Sequence, residues 1–141
     1  MSYIKIICGK LYDGIRDELQ LNKEILINGK YIEAVGENYA KCEMPVKPMH
    51  KNAAGAVMGG ALFTLADFAF AVAGNSGGML TVTVSSNISF VGTCKGDVLY
   101  AETRLIKDGK RSCFYETPIT DNLGNLVAVV SSNGMHLEKK L

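Results

Sequence analysis

The stretch AAGAVMGGALFTLADFAFAVAG, residues 53–74, carries one charged residue, Asp67, in twenty-two. Its length is enough to cross a bilayer. However, much of it is Ala and Gly rather than Leu, Ile and Val, and an Asp near the centre of a span costs about 2.5–3.5 kcal/mol on insertion scales. We therefore expect no membrane span. A helix that is apolar on every side is typical of the centre of a soluble fold, and we predict it from about Gly59 to Gly74.

The segments around this helix alternate between apolar and polar residues, which is typical of strands. A predicted strand, 39–46, lies shortly before the helix, and four strands follow the helix over residues 79–90, 97–107, 110–120 and 125–137. Residues 24–27 and 30–35 flank Asn28-Gly29, which predicts a hairpin, with a helix ending at Gly29 as the alternative. Pro118 has no N–H and predicts an edge position or a bulge.

A single helix without a polar face needs a sheet curved around it. The order of elements therefore predicts an α+β hotdog fold, in which a long antiparallel sheet wraps one central apolar helix. The length of 141 residues predicts one domain, 1–141. Because one sheet covers only part of such a helix, we expect a second copy of the chain to bury the rest and to extend the sheet.

The composition excludes several classes of function. Fifteen basic and fourteen acidic residues leave a net charge of +1, which provides no electrostatic footprint for nucleic acid. The amino terminus lacks the pattern of a signal peptide, so we expect a cytoplasmic protein with reduced thiols. We also expect no metal and no cofactor, because the four cysteines have no zinc-ligand spacing: they are Cys8, Cys42, Cys94 and Cys113.

Two features of the predicted helix point to chemistry. At Gly59 and Gly60 the helix begins, where backbone N–H groups lack intrahelical partners and the helix dipole is positive. Such groups can form an oxyanion hole for a thioester carbonyl, and tight packing of the helix start is the alternative. Asp67 is predicted to be buried among Leu and Phe residues, where a lone carboxylate is expensive. A functional acid is favoured over a structural hydrogen bond, for example to Thr64.

The spacing of these features predicts a shared site. Asp67 lies eight residues after Gly59, roughly 12 Å along a helix. A carboxylate that far away cannot act on a carbonyl held by Gly59 of its own chain. If both act on one substrate, Asp67 of one subunit faces Gly59 of another, at a dimer interface.

The sequence resembles the phenylacetic-acid-degradation (PaaI-like) type of hotdog acyl-CoA thioesterase. Members of this family carry an Asn shortly before a His-Gly-Gly helix start, and then Leu-Ala-Asp. The resemblance covers about residues 30–137, whereas 1–29 form an atypical amino-terminal segment. The matching motifs are Asn52, Gly59-Gly60, Leu65-Ala66-Asp67, Ala69-Phe70, Asn87-Ile88-Ser89-Phe90, Gly96-Asp97, Gly109-Lys110-Arg111 and Leu126-Val127-Ala128.

This resemblance implies roles for individual residues. Asp67 would be the general base or the nucleophile, and the Gly59 N–H would polarise the thioester carbonyl, with Gly60 beside it. Asn52 would orient substrate or water, and Thr83 matches a small hydroxyl residue near the acid of the same chain. Met58 replaces the usual His of the family, so a polar contact beside the thioester is lost.

The hairpin turn around Gly109 carries the basic residues Lys107, Lys110 and Arg111. In this family such a turn would meet the phosphates of coenzyme A through charge-assisted bonds, and an ordinary solvated turn is the alternative. His50 and His136 are predicted to be surface or loop residues. Cys94 and Cys113 have no evident base near them, so we do not predict a cysteine nucleophile.

Together these observations predict an acyl-CoA thioesterase that acts as a homodimer or a dimer of dimers. A non-catalytic acyl-CoA-binding protein that has lost turnover with Met58 remains an alternative. So does a hotdog dehydratase or hydratase. Those enzymes usually pair an acid with a His near the helix, and residues 55–75 contain no His.

Overall fold

The computed structural model describes residues 30–140, which form one sheet and one long helix. The strands are β1 (Tyr31–Gly36), β2 (Tyr39–Pro45), β3 (Met79–Phe90), β4 (Val98–Asp108), β5 (Ser112–Asp121) and β6 (Leu126–Lys140). Helix α1 spans Gly59–Asn75, after a short 3₁₀ turn at Pro48–His50. The six described strands are antiparallel in the order β1-β2-β4-β5-β6-β3. The predicted hotdog architecture is confirmed, and residues 24–29 of the predicted hairpin lie outside the described part.

Alternating side chains explain how the sheet covers the helix. On β5, Cys113, Tyr115, Thr117 and Ile119 are buried, whereas the residues between them are partly or fully exposed. Because successive side chains in a strand point to opposite faces, one face of the sheet is apolar and packs against α1. The predicted alternation of β2 is likewise confirmed, since its inward residues are buried.

Helix α1 buries one side and exposes the other. Phe70 packs edge-to-face on Tyr115 of the sheet, with ring centroids 5.3 Å apart. The buried side comprises Leu62, Leu65, Ala66, Ala69, Phe70, Ala73 and Gly74. The exposed side, which we call the outward face, comprises Gly60, Thr64, Asp67 and Ala71. These four residues are three or four positions apart and therefore share one side of the helix.

The end of α1 is fixed to the sheet by polar side chains. The side-chain amide of Asn75 accepts a hydrogen bond from the backbone N–H of Thr81 at 2.8 Å and donates one to the Thr81 carbonyl at 3.2 Å. Ser76 accepts the N–H of Asn38, in the turn between β1 and β2. Inside the sheet, the buried hydroxyls of Thr103 and Thr117 are 2.7 Å apart and satisfy each other. The bonds of Asn75 and Ser76 fix the end of the helix relative to the strands.

Pro118 occupies a position that the sequence did not predict. It lies in β5, between β4 and β6, and therefore in an interior strand. The prediction of an edge position is wrong. The register of β5 against β6 shifts immediately afterwards, between Ile119 and Thr120, so the irregularity lies one residue beyond the proline.

Candidate active site

A tight loop delivers the chain to the start of α1. The side-chain oxygen of Asn52 accepts the N–H groups of Ala54 and Ala56 at 3.0 and 3.1 Å. The N–H of Met58 then donates to the carbonyl of His50 at 2.8 Å. Asn52 is exposed, and its oxygen already shapes the loop, so its amide NH₂ is the part suited to meet a substrate or water.

Helix α1 begins with two backbone N–H groups that donate a hydrogen bond to no described residue. The carbonyl of Met58 accepts from Ala61 at 3.0 Å and Leu62 at 3.3 Å, and no side chain caps the helix. Within residues 30–140, the N–H groups of Gly59 and Gly60 therefore have no acceptor. These groups lie at the positive end of the helix dipole. They are placed as an oxyanion hole requires.

The two glycines differ in the space around them. A Cβ on Gly59 would lie 2.7 Å from Cζ of Phe90, which is far too close. A Cβ on Gly60 would meet nothing within 4 Å. The packing explanation therefore holds for Gly59, where it is compatible with a role for the N–H. At Gly60 no atom of the described chain requires a glycine.

Asp67 differs from its prediction in one respect. Its predicted burial is wrong for the single chain, in which Asp67 lies exposed on the outward face of α1. The physical reason is that one sheet covers one side of a helix, and Leu65, Phe70 and their neighbours occupy that side. The predicted alternative, a structural bond to Thr64, is not formed, since the Thr64 hydroxyl donates to the carbonyl of Gly60 at 2.7 Å.

Beside the helix start lies an apolar cavity of about 330 Å³. Met58, which is 39% exposed, contributes to its wall together with Lys30, Met49, His50 and Gly60. A thioether sulfur cannot donate a hydrogen bond. The side chain at position 58 therefore gives this cavity apolar surface instead of the donor that a histidine would supply.

Thr83 lies exposed on β3, which forms one margin of the described sheet. It pairs with Gly134 of β6 directly before a register shift, between Thr83 and Ser85. No hydrogen bond joins Thr83 to Asp67 among the described residues. Its predicted proximity to the acid therefore stays a prediction.

The basic turn between β4 and β5 is exposed and borders two cavities. Lys107 and Arg111 line one of about 430 Å³, whose apolar wall includes Val84 and Met135. Arg111 and Lys110 line a second cavity of about 310 Å³. The turn thus combines positive charge with apolar surface, which suits an anionic ligand that also has an apolar part.

His136 is a residue whose importance the sequence analysis missed. It was predicted to lie at the surface or in a loop, but its side chain is 11% exposed and lies in β6. In its ring, Nδ1 is 3.0 Å from the Thr81 hydroxyl and Nε2 is 2.9 Å from the Asp108 carboxylate. Its backbone N–H donates to the Arg111 carbonyl. His136 therefore anchors the basic turn. The alternation of inward residues along β6 was the signal that could have identified it.

Asp121 is a second missed residue, and its role is structural. Burial alone raises the pKa of its carboxyl, but hydrogen bonds from Asn125 and from the N–H groups of Lys95 and Gly96 outweigh burial and hold the pKa far below its usual range. The carboxylate thereby joins the β5–β6 turn to the loop before β4. That loop lines a cavity of about 230 Å³ that also borders Gly59.

The described thiols are unsuited to nucleophilic attack. Burial raises the pKa of Cys42 to about 12, and burial also raises the pKa of Cys94 and Cys113. Thiolates are therefore scarce at neutral pH. Between residues 30 and 140, no group of three or more His, Cys, Asp or Glu side chains converges in a way that could hold a metal ion. In the same part of the chain, no helix is both long and apolar enough to cross a membrane.

Comparisons with known proteins point to one family. Residues 54–128 match the family model described as thioesterase superfamily. A protein of Archaeoglobus fulgidus named "Putative esterase" is 32% identical over 136 residues, which cover 91% of this chain and 88% of that protein. Acyl-coenzyme A thioesterase PaaI of Escherichia coli is 33% identical over 99 residues, which cover 70% of this chain and 71% of that one.

Solved structures agree with this relationship. The E. coli PaaI protein from the phenylacetic acid degradation operon superposes with a TM-score of 0.76 and 30% identity, covering 79% of this chain and 82% of that one. A hypothetical thioesterase of Streptococcus pneumoniae, solved with coenzyme A, superposes with a TM-score of 0.75 and 25% identity, covering 79% and 88%. The curved sheet around one helix is thus common to all three chains.

Proposed function

Because the chain belongs to the thioesterase superfamily, as shown by the match over residues 54–128 and the relative 32% identical along 91% of the chain, we propose that it hydrolyses acyl-coenzyme A thioesters. The products are a free acid and coenzyme A. The observation that carries the proposal is helix α1, which has two backbone N–H groups without an acceptor at its start and one exposed carboxylate on its outward face. The named activity of the E. coli relative and the coenzyme A in the S. pneumoniae structure support the choice of substrate.

The reaction uses these groups in a defined order. The N–H groups of Gly59 and Gly60 stabilise the negative charge that develops on the thioester oxygen. Asp67 either removes a proton from the attacking water or attacks the carbonyl carbon itself, forming a mixed anhydride that water then cleaves. In both routes the C–S bond breaks, and the sulfur leaves as a thiolate that takes up a proton. Single-turnover hydrolysis in ¹⁸O-labelled water identifies the anhydride route when water attacks the Asp67 carboxyl carbon of the anhydride, because only that step places label in Asp67 and leaves an unlabelled oxygen in the product acid.

Asp67 and Gly59 of one chain cannot share a substrate carbonyl, since roughly 12 Å of helix separates them. We therefore assign the site to two copies of the chain, as a homodimer or a dimer of dimers. The exposed carboxylate and Gly60, which has open space around it, support contact with another molecule on this face. The unpaired cysteines of the described part support a cytoplasmic location.

We assign the remaining predicted residues to substrate binding. Asn52 orients substrate or water through its amide NH₂, and Met58 forms the wall of the acyl entrance. Thr83 supports the acid, and the basic turn holds the phosphates of coenzyme A. Charge-assisted bonds from lysine and arginine suit phosphate oxygens, and all three side chains of the turn are exposed: Lys107, Lys110 and Arg111.

A panel of acyl-CoA substrates with detection of free thiol tests this proposal. Asp67→Asn is expected to lower kcat at least about 100-fold, since a general base contributes about 10²–10⁴. Its fold and its assembly, followed by circular dichroism and sedimentation, should match those of wild type. Glu116→Gln, an exposed acid on β5, is the matched control. Near wild-type turnover in Asp67→Asn would contradict the assignment, and thermal protection by acyl-CoA without thiol release would identify a binding protein.

The shared site has its own test. Mixing Asp67→Asn chains with Gly60→Val chains should restore activity, because one site of the hybrid dimer is then intact. Gly60 is the better position for the blocking residue, because a Val side chain at position 59 would clash with the Phe90 ring. Full activity in a species that sediments as a monomer would overturn the two-chain site.

A further inference from the structure

The basic turn contains one acid among its three cations. Asp108 lies between Lys107 and Lys110 in sequence, where a carboxylate would be expected to pair with a neighbouring cation. In the described part of the chain, however, the basic side chain within ion-pair distance of Asp108 is His136. The ion pairs of that part include none of the three cations, which are Lys107, Lys110 and Arg111. The turn therefore keeps its positive charge available to a ligand.

A β-bulge in β4 separates the acid from Lys107. Leu105 packs against the core and so faces inward, towards α1. The register of β4 against β5 then shifts between Leu105 and Lys107. After the shift, Asp108 pairs with Cys113, which is buried on the inner face, and Lys107 pairs with the next residue of β5. Paired residues share a face and neighbouring residues of a strand alternate, so the bulge directs Asp108 inward and Lys107 outward. A regular strand would have done the reverse.

His136 holds the inward carboxylate in place. Its Nε2 lies 2.9 Å from Oδ1 of Asp108, and the backbone N–H of Gly109 donates to the same oxygen at 3.1 Å. On the other side of the ring, Nδ1 lies 3.0 Å from the hydroxyl of Thr81. An ionised carboxylate only accepts hydrogen bonds, so Nε2 is the donor to Asp108. Because both ring nitrogens have partners within the chain, His136 acts on the turn through Asp108.

The side chains of Thr81, His136 and Asp108 follow the order hydroxyl, imidazole and carboxylate, which is also the order of a nucleophile, its base and the group that orients the base. Thr81, however, is 5% exposed, and its backbone is bonded on both sides by the amide of Asn75. A buried hydroxyl cannot reach a substrate. The three side chains instead join β3, β6 and β4 beside the basic turn.

We propose that His136 is a positioning residue that keeps the Asp108 carboxylate away from the cations of the basic turn, which are thereby free to bind the phosphates of coenzyme A. This inference rests on the proposed function. Lys110 and Arg111 line the cavity of about 310 Å³ to which His136 also contributes, and Lys107 and Arg111 line the cavity of about 430 Å³. An outward carboxylate would pair with one of these cations and would repel phosphate oxygens.

The test compares an acyl-CoA with the matching acyl-pantetheine, which has the same thioester but no phosphate. The measured quantity is the ratio of kcat/KM for acyl-CoA to kcat/KM for acyl-pantetheine. His136→Leu should lower this ratio roughly five- to tenfold, through KM for acyl-CoA, because the released carboxylate competes for a cation and repels the phosphates. General damage to the fold would lower both activities and leave the ratio unchanged.

A second substitution distinguishes the charge of Asp108 from the structure of the turn. Adding Asp108→Asn to His136→Leu should restore the wild-type ratio, because a neutral amide neither pairs with a cation nor repels a phosphate. The matched control is Glu102→Gln in the same background, which removes a carboxylate paired with Arg104 elsewhere on β4 and should restore nothing. His136→Gln should keep the ratio, since its amide can donate to Asp108 as Nε2 does.

An unchanged ratio in His136→Leu would refute the proposal. A lowered ratio that Asp108→Asn does not restore would refute it too, because His136 would then have only a structural role. If His136→Leu does not fold, His136→Phe, which likewise has no ring nitrogen, takes its place. If wild type hydrolyses no acyl-CoA, the proposed function fails, and calorimetric dissociation constants for coenzyme A and pantetheine replace the kinetic ratio. Equal affinity of wild type for these two ligands, or binding of neither, would then refute this inference as well.

Discussion

Gly59→Ala is expected to destabilise the protein through a single contact with Phe90. The added Cβ would lie 2.7 Å from Cζ and 3.1 Å from Cε1 of the Phe90 ring. Carbon atoms attract one another at about 3.5–4.0 Å, so the ring must move by the better part of 1 Å. Phe90 is 58% exposed, so its ring can rotate outward into solvent. We therefore expect a cost of about 1 kcal/mol, at the low end of the range for overpacking.

Gly60→Ala is the matched control for this substitution. Both changes place Ala at a helix start, where the propensity gain over Gly is at most about 1 kcal/mol. A Cβ on Gly60 meets nothing within 4 Å, so that variant carries no clash. The difference between the two variants isolates the contact with Phe90. It should appear as a melting temperature lower by roughly 2–8 °C in Gly59→Ala.

A double-mutant cycle identifies the contact. Thermal and urea unfolding are measured for Gly59→Ala, for Phe90→Ala and for the two combined. Removal of the ring should abolish the cost of the alanine, so that the two substitutions are coupled by about 1 kcal/mol. Simple additivity would show that Phe90 does not determine the glycine, and the packing explanation for position 59 would then be refuted.

Three further predictions concern other sites. Met58→His should raise turnover on at least one acyl-CoA by about ten- to a hundredfold, because a donor beside the developing charge is worth roughly 1–3 kcal/mol; equal or lower turnover on every substrate would show that methionine suits this site. Asp121→Asn should lower the melting temperature at pH 7. The difference in melting temperature should narrow as pH falls below about 4, because the stability linked to the lowered pKa of Asp121 is complete above the ordinary pKa of an aspartate and is lost progressively below it; a difference independent of pH would contradict this. Thr103→Val should cost about 1–3 kcal/mol by leaving the Thr117 hydroxyl unpaired, and Thr103→Val with Thr117→Val should cost less than the single change; additive losses in urea unfolding would refute the pairing.

Local pattern was sufficient to predict most of the secondary structure. The predicted helix from Gly59 to about Gly74 is observed as Gly59–Asn75, and the predicted strand 79–90 has the same bounds in the structure. Alternation along a strand and a continuous apolar run along a helix depend on the chain's own next few residues. The same is true of the glycine pair and of the lone acid eight positions later, because their spacing is a property of one helix.

Side-chain surroundings, in contrast, depended on residues far away in sequence. The ring that explains Gly59 belongs to Phe90, thirty-one positions later, and His136 meets Asp108 across the sheet. Asp67 was predicted to be buried because its sequence neighbours are apolar, yet it lies on the side of α1 that the sheet leaves uncovered. The long apolar run predicts that the helix packs against a sheet, but it does not distinguish one side of the helix from the other. Which residues lie on the exposed side depends on how strands from distant parts of the chain pair around that helix, and only the tertiary structure decides this.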